Sequence, residues 1–402
     1  MRHAAVLFFA LLLLPARSFA QTDTNGPDPS KVKVRLGPVQ LTPTITIANI
    51  GEDGNVFNDA VDPKRDFTMT VSPRIESWFP VMGSWFTGLI SEDLVYYQTY
   101  SSERSGNTTL GLDWKLPLPR ITFTLDARRL STRERPGFEI DARAARVQRN
   151  YFGAIAVNLL PNTSIVATAR SEQTDFDDSA VFDGVRLADE LNRTATSVTL
   201  EVNQKLTPLT TLVFGVMRQQ DRFAVDPLRD SDSTYAKVGV RFDPFAVLKG
   251  GMTVAYTRFT PHSPNLPDFS GPTLAGDLAY VLLERTRFTF KAQRGLEYSY
   301  EVNQPYYIQT GIRLEIAQQV AGPADVAVRG GIARLDYRDQ IGAAVATPDR
   351  SDRIRSYGIG FGYRLNPDLR VGFDADRVFR ESAIDAKHYM RPTYGASITY
   401  DF

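Results

Sequence analysis

The chain has no cysteine. That excludes a disulfide framework, a lipid-anchored N-terminal cysteine and any thiol chemistry. Only three histidines occur, His3, His262 and His388, which leaves little material for a metal centre or acid–base catalysis. Beyond one N-terminal stretch, no apolar run approaches the roughly 18 residues of a membrane-crossing helix. Charge of one sign is missing as well. The 46 basic and 46 acidic side chains cancel, whereas a nucleic-acid binder would be basic.

The N-terminal exception reads MRHAAVLFFALLLLPARSFA. Arg2 opens it, Ala4 to Leu14 form the apolar run, and Ser18-Phe19-Ala20 is a small-x-small cleavage signal. This is the pattern of a secretory signal peptide. We therefore expect a signal over 1–20, a periplasmic N-terminal segment over 21–39 and one folded body over 40–402. Without Arg2 and Arg17 the mature chain carries 44 basic (46 minus 2) against 46 acidic groups, net −2.

What is present is alternation. The closing stretch RPTYGASITYDF puts Tyr394, Ala396, Ile398, Tyr400 and Phe402 on one parity and Thr393, Gly395, Ser397, Thr399 and Asp401 on the other. A period of two is a half-buried β-strand, and aromatic rings at a strand end suit the interface girdle of a membrane barrel. Residues 120–130 set Ile121, Phe123, Leu125 and Ala127 against Thr122, Thr124, Asp126 and Arg128. Residues 306–316 set Ile308, Ile312, Leu314 and Ile316 against Gln309, Gly311, Arg313 and Glu315. Charges in mid-strand do not fit a dry sandwich core. They fit a wet lumen.

Short, often proline-bearing turns such as Pro117-Leu118-Pro119 and Asn366-Pro367-Asp368 alternate strictly with longer polar stretches such as 50–65, 131–144 and 338–352. Eight short turns and nine longer connections imply eighteen strands. The predicted strands lie near 40–49, 66–79, 84–100, 108–116, 120–130, 145–159, 163–175, 193–205, 210–222, 233–242, 250–259, 274–283, 287–300, 306–318, 324–337, 353–365, 369–380 and 391–402. Parity is loose in 84–100, 210–222 and 324–337, where bulges are expected. The fold class is an all-β, transmembrane, antiparallel up-and-down barrel of about 18 strands (range 16–18), with no plug domain and an even strand count, as in outer-membrane barrels. On the lumen parity we place Arg74, Glu76, Asp126, Arg128, Lys237, Arg241, Lys291, Arg313, Glu315, Arg370 and Asp374 as pore-lining candidates. Both signs mix there, as in a hydrated wall of paired charges.

Other features weigh less. Asp53, Asn55, Asn58, Asp59 and Asp62 cluster in the first long loop, but they lack the order of a calcium loop, and a solvated turn is the better reading. His262 beside Ser263, and His388 near Asp385, come without a nucleophile motif. We expect no catalytic residues, no metal site and no cofactor. Residues 182–191, FDGVRLADEL, could form a short helix that narrows the lumen.

The first strand and loop contain Leu41-Thr-Pro-Thr-Ile-Thr-Ile47 followed by Gly51-Glu-Asp-Gly-Asn-Val-Phe57. This resembles the opening of the putative β-barrel porin 2 family through Gly51, Asp53, Asn55, Val56 and Phe57. Glu52 and Gly54 depart from its pattern. The resemblance implies an outer-membrane barrel often linked to exopolysaccharide export. The implied surroundings are outer-membrane lipid, the barrel-assembly machinery, a polar or saccharide solute and periplasmic polysaccharide export proteins, with no nucleic acid. Alternatives are a general diffusion porin for small nutrients, an outer-membrane barrel enzyme, and a structural or adhesive barrel.

Overall fold

The computed structural model describes residues 32–81, 83–243 and 246–402. The expected signal peptide and most of the 21–39 segment lie outside the described residues. The strands are β1 (Val34–Leu36), β2 (Val39–Asp53), β3 (Asp66–Val81), β4 (Ser84–Tyr97), β5 (Ser105–Pro117), β6 (Ile121–Thr132), β7 (Arg146–Leu160), β8 (Thr163–Phe176), β9 (Val181–Phe182), β10 (Val185–Arg186), β11 (Arg193–Thr207), β12 (Thr210–Phe223), β13 (Ser231–Phe242), β14 (Leu248–Pro261), β15 (Phe269–Leu282), β16 (Thr286–Tyr298), β17 (Tyr306–Ala321), β18 (Ala324–Arg338), β19 (Ser351–Arg364), β20 (Leu369–Glu381) and β21 (Tyr389–Asp401). One short helix, α1, covers Leu187–Leu191.

Each long strand pairs antiparallel with the next, and β2 pairs with both β3 and β21. The sheet therefore closes on itself as an 18-strand barrel and leaves no free edge. β1 only extends β2 as a hairpin. β9 and β10 form a separate two-stranded hairpin in a loop. Every predicted strand is present, with ends shifted by a few residues at most.

The outer face is apolar through the middle of the strands. Leu112, Leu125, Leu200, Val216, Leu314 and Ile359 project from it and are exposed, as a lipid-facing band requires. The expected bulges are not found in β4, β12 or β18; the shifts in the β11–β12 and β17–β18 ladders fall in the partner strands, at Lys205/Thr207 and Gln319/Ala321 beside the short turns. Their parity is loose because apolar side chains, Trp85, Leu89, Val213 and Met217 among them, border the interior. Among the described residues, the one bulge well inside a strand sits in β2, where the register slips between Ala48 and Gly51 and Asn49 takes a φ of 53°.

The wall is uneven at one place. The β15–β16 ladder ends at Leu274 opposite Arg294. Above it Pro272 has no N–H to offer, and its carbonyl accepts from Arg294 Nε at 3.1 Å. Beyond this point the β16–β17 hairpin leans inward. Tyr298 reaches Ser231 Oγ at 2.5 Å and stacks edge-on to Phe223 at 4.8 Å. Phe259, Tyr306 and Ile308 bury one another where the two hairpins overlap.

Candidate functional site

Strand alternation turns one parity of every strand to the barrel interior, which holds a cavity of about 1600 Å³. Of the sequence candidates, Arg74, Glu76, Arg128, Lys237, Arg241, Lys291 and Arg313 border this cavity. Asp126, Glu315, Arg370 and Asp374 lie on the same inward face and act through partners there. Asp126 takes Arg128 Nε at 3.0 Å. Glu315 stands opposite Arg329 in the ladder. Arg370 holds Asp325 at 2.6 Å, and Asp374 takes Arg329 at 2.9 Å.

These side chains form pairs of opposite sign around the wall. Arg74 pairs with Glu76. Lys237 meets Glu201 at 2.7 Å, and Lys291 meets Asp277 at 3.2 Å. Arg329 also holds Asp376 at 2.5 Å. Ions half-desolvated by a protein wall stay charged only when paired or hydrated, and a lumen supplies both. Asp277, Asp325 and Arg329 were missed at the sequence level. They sit on the same parity, Asp325 and Arg329 in the 324–337 stretch whose alternation is loose.

The long-loop end is a different structure. The 133–145 segment between β6 and β7 folds inward, and Arg135, Gly137, Phe138 and Asp141 border the cavity. Its anchors lie on other walls. Asp141 takes Arg380 Nη1 at 2.6 Å and Asn58 Nδ2 at 2.9 Å. Arg135 donates to the Val56 carbonyl at 2.6 Å. Arg143 donates to Tyr97 Oη at 2.8 Å. Glu139, 2% exposed, accepts from Ser299 Oγ at 2.6 Å on the far side of the barrel. Burial pushes its carboxyl up to about 7, against the pull of the Ser299 hydrogen bond and the Lys387 and Arg350 charges. Burial likewise raises Glu134, at the start of the segment, to about 7.

Neighbouring loops lock this segment in place. Arg229 donates to the Ser299 and Pro305 carbonyls at 2.5 and 2.7 Å and pairs with Glu190 at 2.5 Å. Arg350 and Arg380 both hold the fully buried Asp352 at 2.7 Å. The expected narrowing element thus needs correcting. No residue of 177–192 borders the cavity. That loop forms the β9–β10 hairpin and α1, a helix over only the second half of 182–191. Leu187, Ala188 and Leu191 pack on Ile140 and Ala144 of the inward segment, covering it from outside. Apolar residues spread through a polar loop carry no periodic signal, so the sequence could not show which loop lies beneath which.

The acidic cluster of the first loop is spent on structure. Asp53 takes Arg391 through both oxygens, at 2.9 and 2.6 Å, and Tyr97 Oη at 3.0 Å. Asn55 donates to the Met390 and Asp59 carbonyls. A Cβ on Gly51 would lie 2.0 Å from the Tyr394 carbonyl oxygen. Val56 is fully buried beside Val95 and Tyr97. The motif Gly51, Asp53, Asn55, Val56 therefore fastens β2 to β21, where the barrel closes. Among the described residues no group of His, Asp and Glu has the arrangement of a metal site. His262 Nε2 stands 3.7 Å from Asp232.

The sequence profile of the family described as putative beta-barrel porin 2 matches residues 32–402. The chain belongs to that family. Among solved structures, the BenF-like porin from Pseudomonas fluorescens Pf-5 shares the fold, with a TM-score of 0.51 and 10% identity over 91% of this chain and 99% of that one. Pseudomonas aeruginosa OccK2 (OpdF), solved with glucuronate, gives 0.49 and 10% over 90% and 98%. Pseudomonas aeruginosa OpdQ gives 0.46 and 10% over 90% and 97%. At such identity the likeness concerns the fold alone. No curated protein matches the chain. Within the porin 2 family motif, Gly51, Asp53 and Asn55 hold β2 against β21, and Val56 packs beside Val95 and Tyr97.

Proposed function

We propose that the chain is an outer-membrane conduit for polar solutes. One observation carries the reading. A closed 18-strand wall, apolar outside, encloses a cavity of about 1600 Å³ edged by ion pairs of both signs. Barrels of 16–18 strands are wide enough for an aqueous channel. Family membership and the fold shared with a porin support a channel over an enzyme. In this reading the short turns face the periplasm and the long loops face outward. The barrel-assembly machinery inserts the chain, with its aromatic last strand as the signal.

The solute class follows from the family resemblance: an exopolysaccharide or its fragments, delivered by periplasmic export proteins. The interlocked outer end favours a second reading, passage of small polar nutrients. A polymer needs the 133–145 segment displaced, whereas a small solute needs only a gap beside it. Planar-bilayer recording tests both. The mixed lining predicts weak preference between cations and anions, read from reversal potentials in a salt gradient. Replacing 134–144 by a short Gly-Ser link should raise conductance more than removing 178–191. A polymer path predicts that long neutral oligosaccharides then block the current from the periplasmic side. No conductance in any variant would refute the conduit.

A further inference from the structure

Above the apolar band, the outer face of the barrel changes character. Within five residues of the long-loop end, β6, β7, β12, β14, β18, β19 and β20 each turn at least one arginine outward, and among the described residues no lysine joins them. Two pairs stand directly opposite across a ladder: Arg129 with Arg149, and Arg334 with Arg353. Like charges in that position destabilise a sheet. A chain with as many acidic as basic residues had the means to avoid them.

The second pair belongs to a row. Register partners run Thr310, Arg334, Arg353, Glu381 across β17 to β20, a span of about 15 Å at the usual strand spacing. Carboxylates compensate only part of it. Asp336 takes Arg334 at 2.6 Å, and Glu381 lies 3.9 Å from Arg353. The Arg334 and Arg353 side chains are more than half exposed. One step down β17 and β18 come Ile312 and Ile332 on the apolar band, while on β19 Arg355, held by Glu381, precedes the exposed Tyr357 and Ile359. The guanidinium groups therefore sit where hydrocarbon gives way to headgroups. Arginine suits that depth because its planar fork binds phosphate oxygens two at a time and is less strongly hydrated than an ammonium.

We propose that this row docks the phosphate groups of an acylated, phosphorylated glycolipid in the outer leaflet, whose chains lie on the apolar band beneath. An anion between Arg334 and Arg353 turns the repulsion of the pair into a shared contact. The surface rests on the outer-membrane placement proposed above but not on conduction, so the two readings fail separately.

The test is native mass spectrometry of the detergent-solubilised, folded barrel titrated with diphosphoryl lipid A and with the same lipid stripped of its phosphates. The phosphorylated form should bind at least about tenfold tighter, since charge-assisted hydrogen bonds are at stake. Arg334→Gln with Arg353→Gln should remove most of that difference. Arg120→Gln, in a short turn at the other end, should leave it intact. Equal binding of the two lipids by the unsubstituted barrel would overturn the proposal without recourse to any variant. So would an unchanged preference in the folded double variant. Displacement of the lipid by millimolar inorganic phosphate would assign the row to a free anion and overturn the lipid assignment.

Discussion

Glu139→Gln should remove a pH dependence from the docking of the 133–145 segment. In the docked segment the Glu139 carboxyl is buried and titrates at about 7, against 4.5 when the segment is free in water. Below pH 4.5 both forms are protonated, and the group does not favour either. Between 4.5 and 7 the docked form keeps a proton that the released form has lost, so docking weakens as pH rises. Above 7 both are ionised, and the loss levels off. That separation corresponds to about 3 kcal/mol, or a few hundredfold in the released population. Lys387 and Arg350 moderate the effect, and Glu301 adds to it. Glu134, also raised to about 7, works in the same direction. Limited trypsin cleavage after Arg143, normalised to cleavage of an unfolded peptide at each pH, reads the released population when opening is fast. Cleavage should rise from pH 5 to pH 8 and then flatten. In Glu139→Gln the neutral amide can still accept from Ser299, so the slope should shrink. With Glu134→Gln added, it should vanish at the docked level. An unchanged slope in the double variant, or faster cleavage at acid pH, would show that burial of these carboxyls does not govern docking.

Three further outcomes are expected. Leu314→Arg, on the lipid face at 46% exposure, should destabilise the barrel by about 2–4 kcal/mol, while Arg313→Leu on the cavity side costs far less; the reverse order in urea titrations from lipid would mean the face assignment is wrong. Asp53→Ala strands the Arg391 charge and should cost about 3–5 kcal/mol as a broken buried pair, so unfolding at the same urea concentration as the parent would rule out a fastening role for the first-loop motif. Deleting Phe402, whose ring stands edge-on to Tyr400 at 4.8 Å and whose N–H meets the Pro43 carbonyl at 3.2 Å, should lower membrane levels more than deleting Ala344 from an exposed loop; equal levels would argue against the last strand as an assembly signal.

The barrel was legible in the sequence because its solvent is legible. A strand between lipid and water must be apolar on one parity and polar on the other, and Leu314 beside Arg313 states that rule in two residues. Turn chemistry then separates short connections from long ones, and their strict order yields eighteen strands. The inward charges could be read for the same reason, since Lys291 or Arg313 has no tenable place on the lipid face. The irregular strands misled where apolar side chains such as Trp85 and Met217 border the interior, because periodicity cannot tell a residue facing lipid from one facing a partly apolar lumen. The family motif was visible as letters, but its work was not. That Asp53 meets Arg391, and Gly51 meets the Tyr394 carbonyl, depends on the two ends of the chain lying side by side.

Sequence alone determined the class of fold and the strand count, because these follow from local alternation against two solvents and from the order of the turns. Tertiary structure decided which loop fills the mouth. Ile140 and Glu139 look like any loop residues until Leu187, Ser299 and Arg380, far apart in the chain, close around them. It also decided which arginines stand opposite one another on the rim. Arg334 and Arg353 are neighbours only through the ladder register, which turn lengths and closure set jointly and which no single stretch of sequence contains.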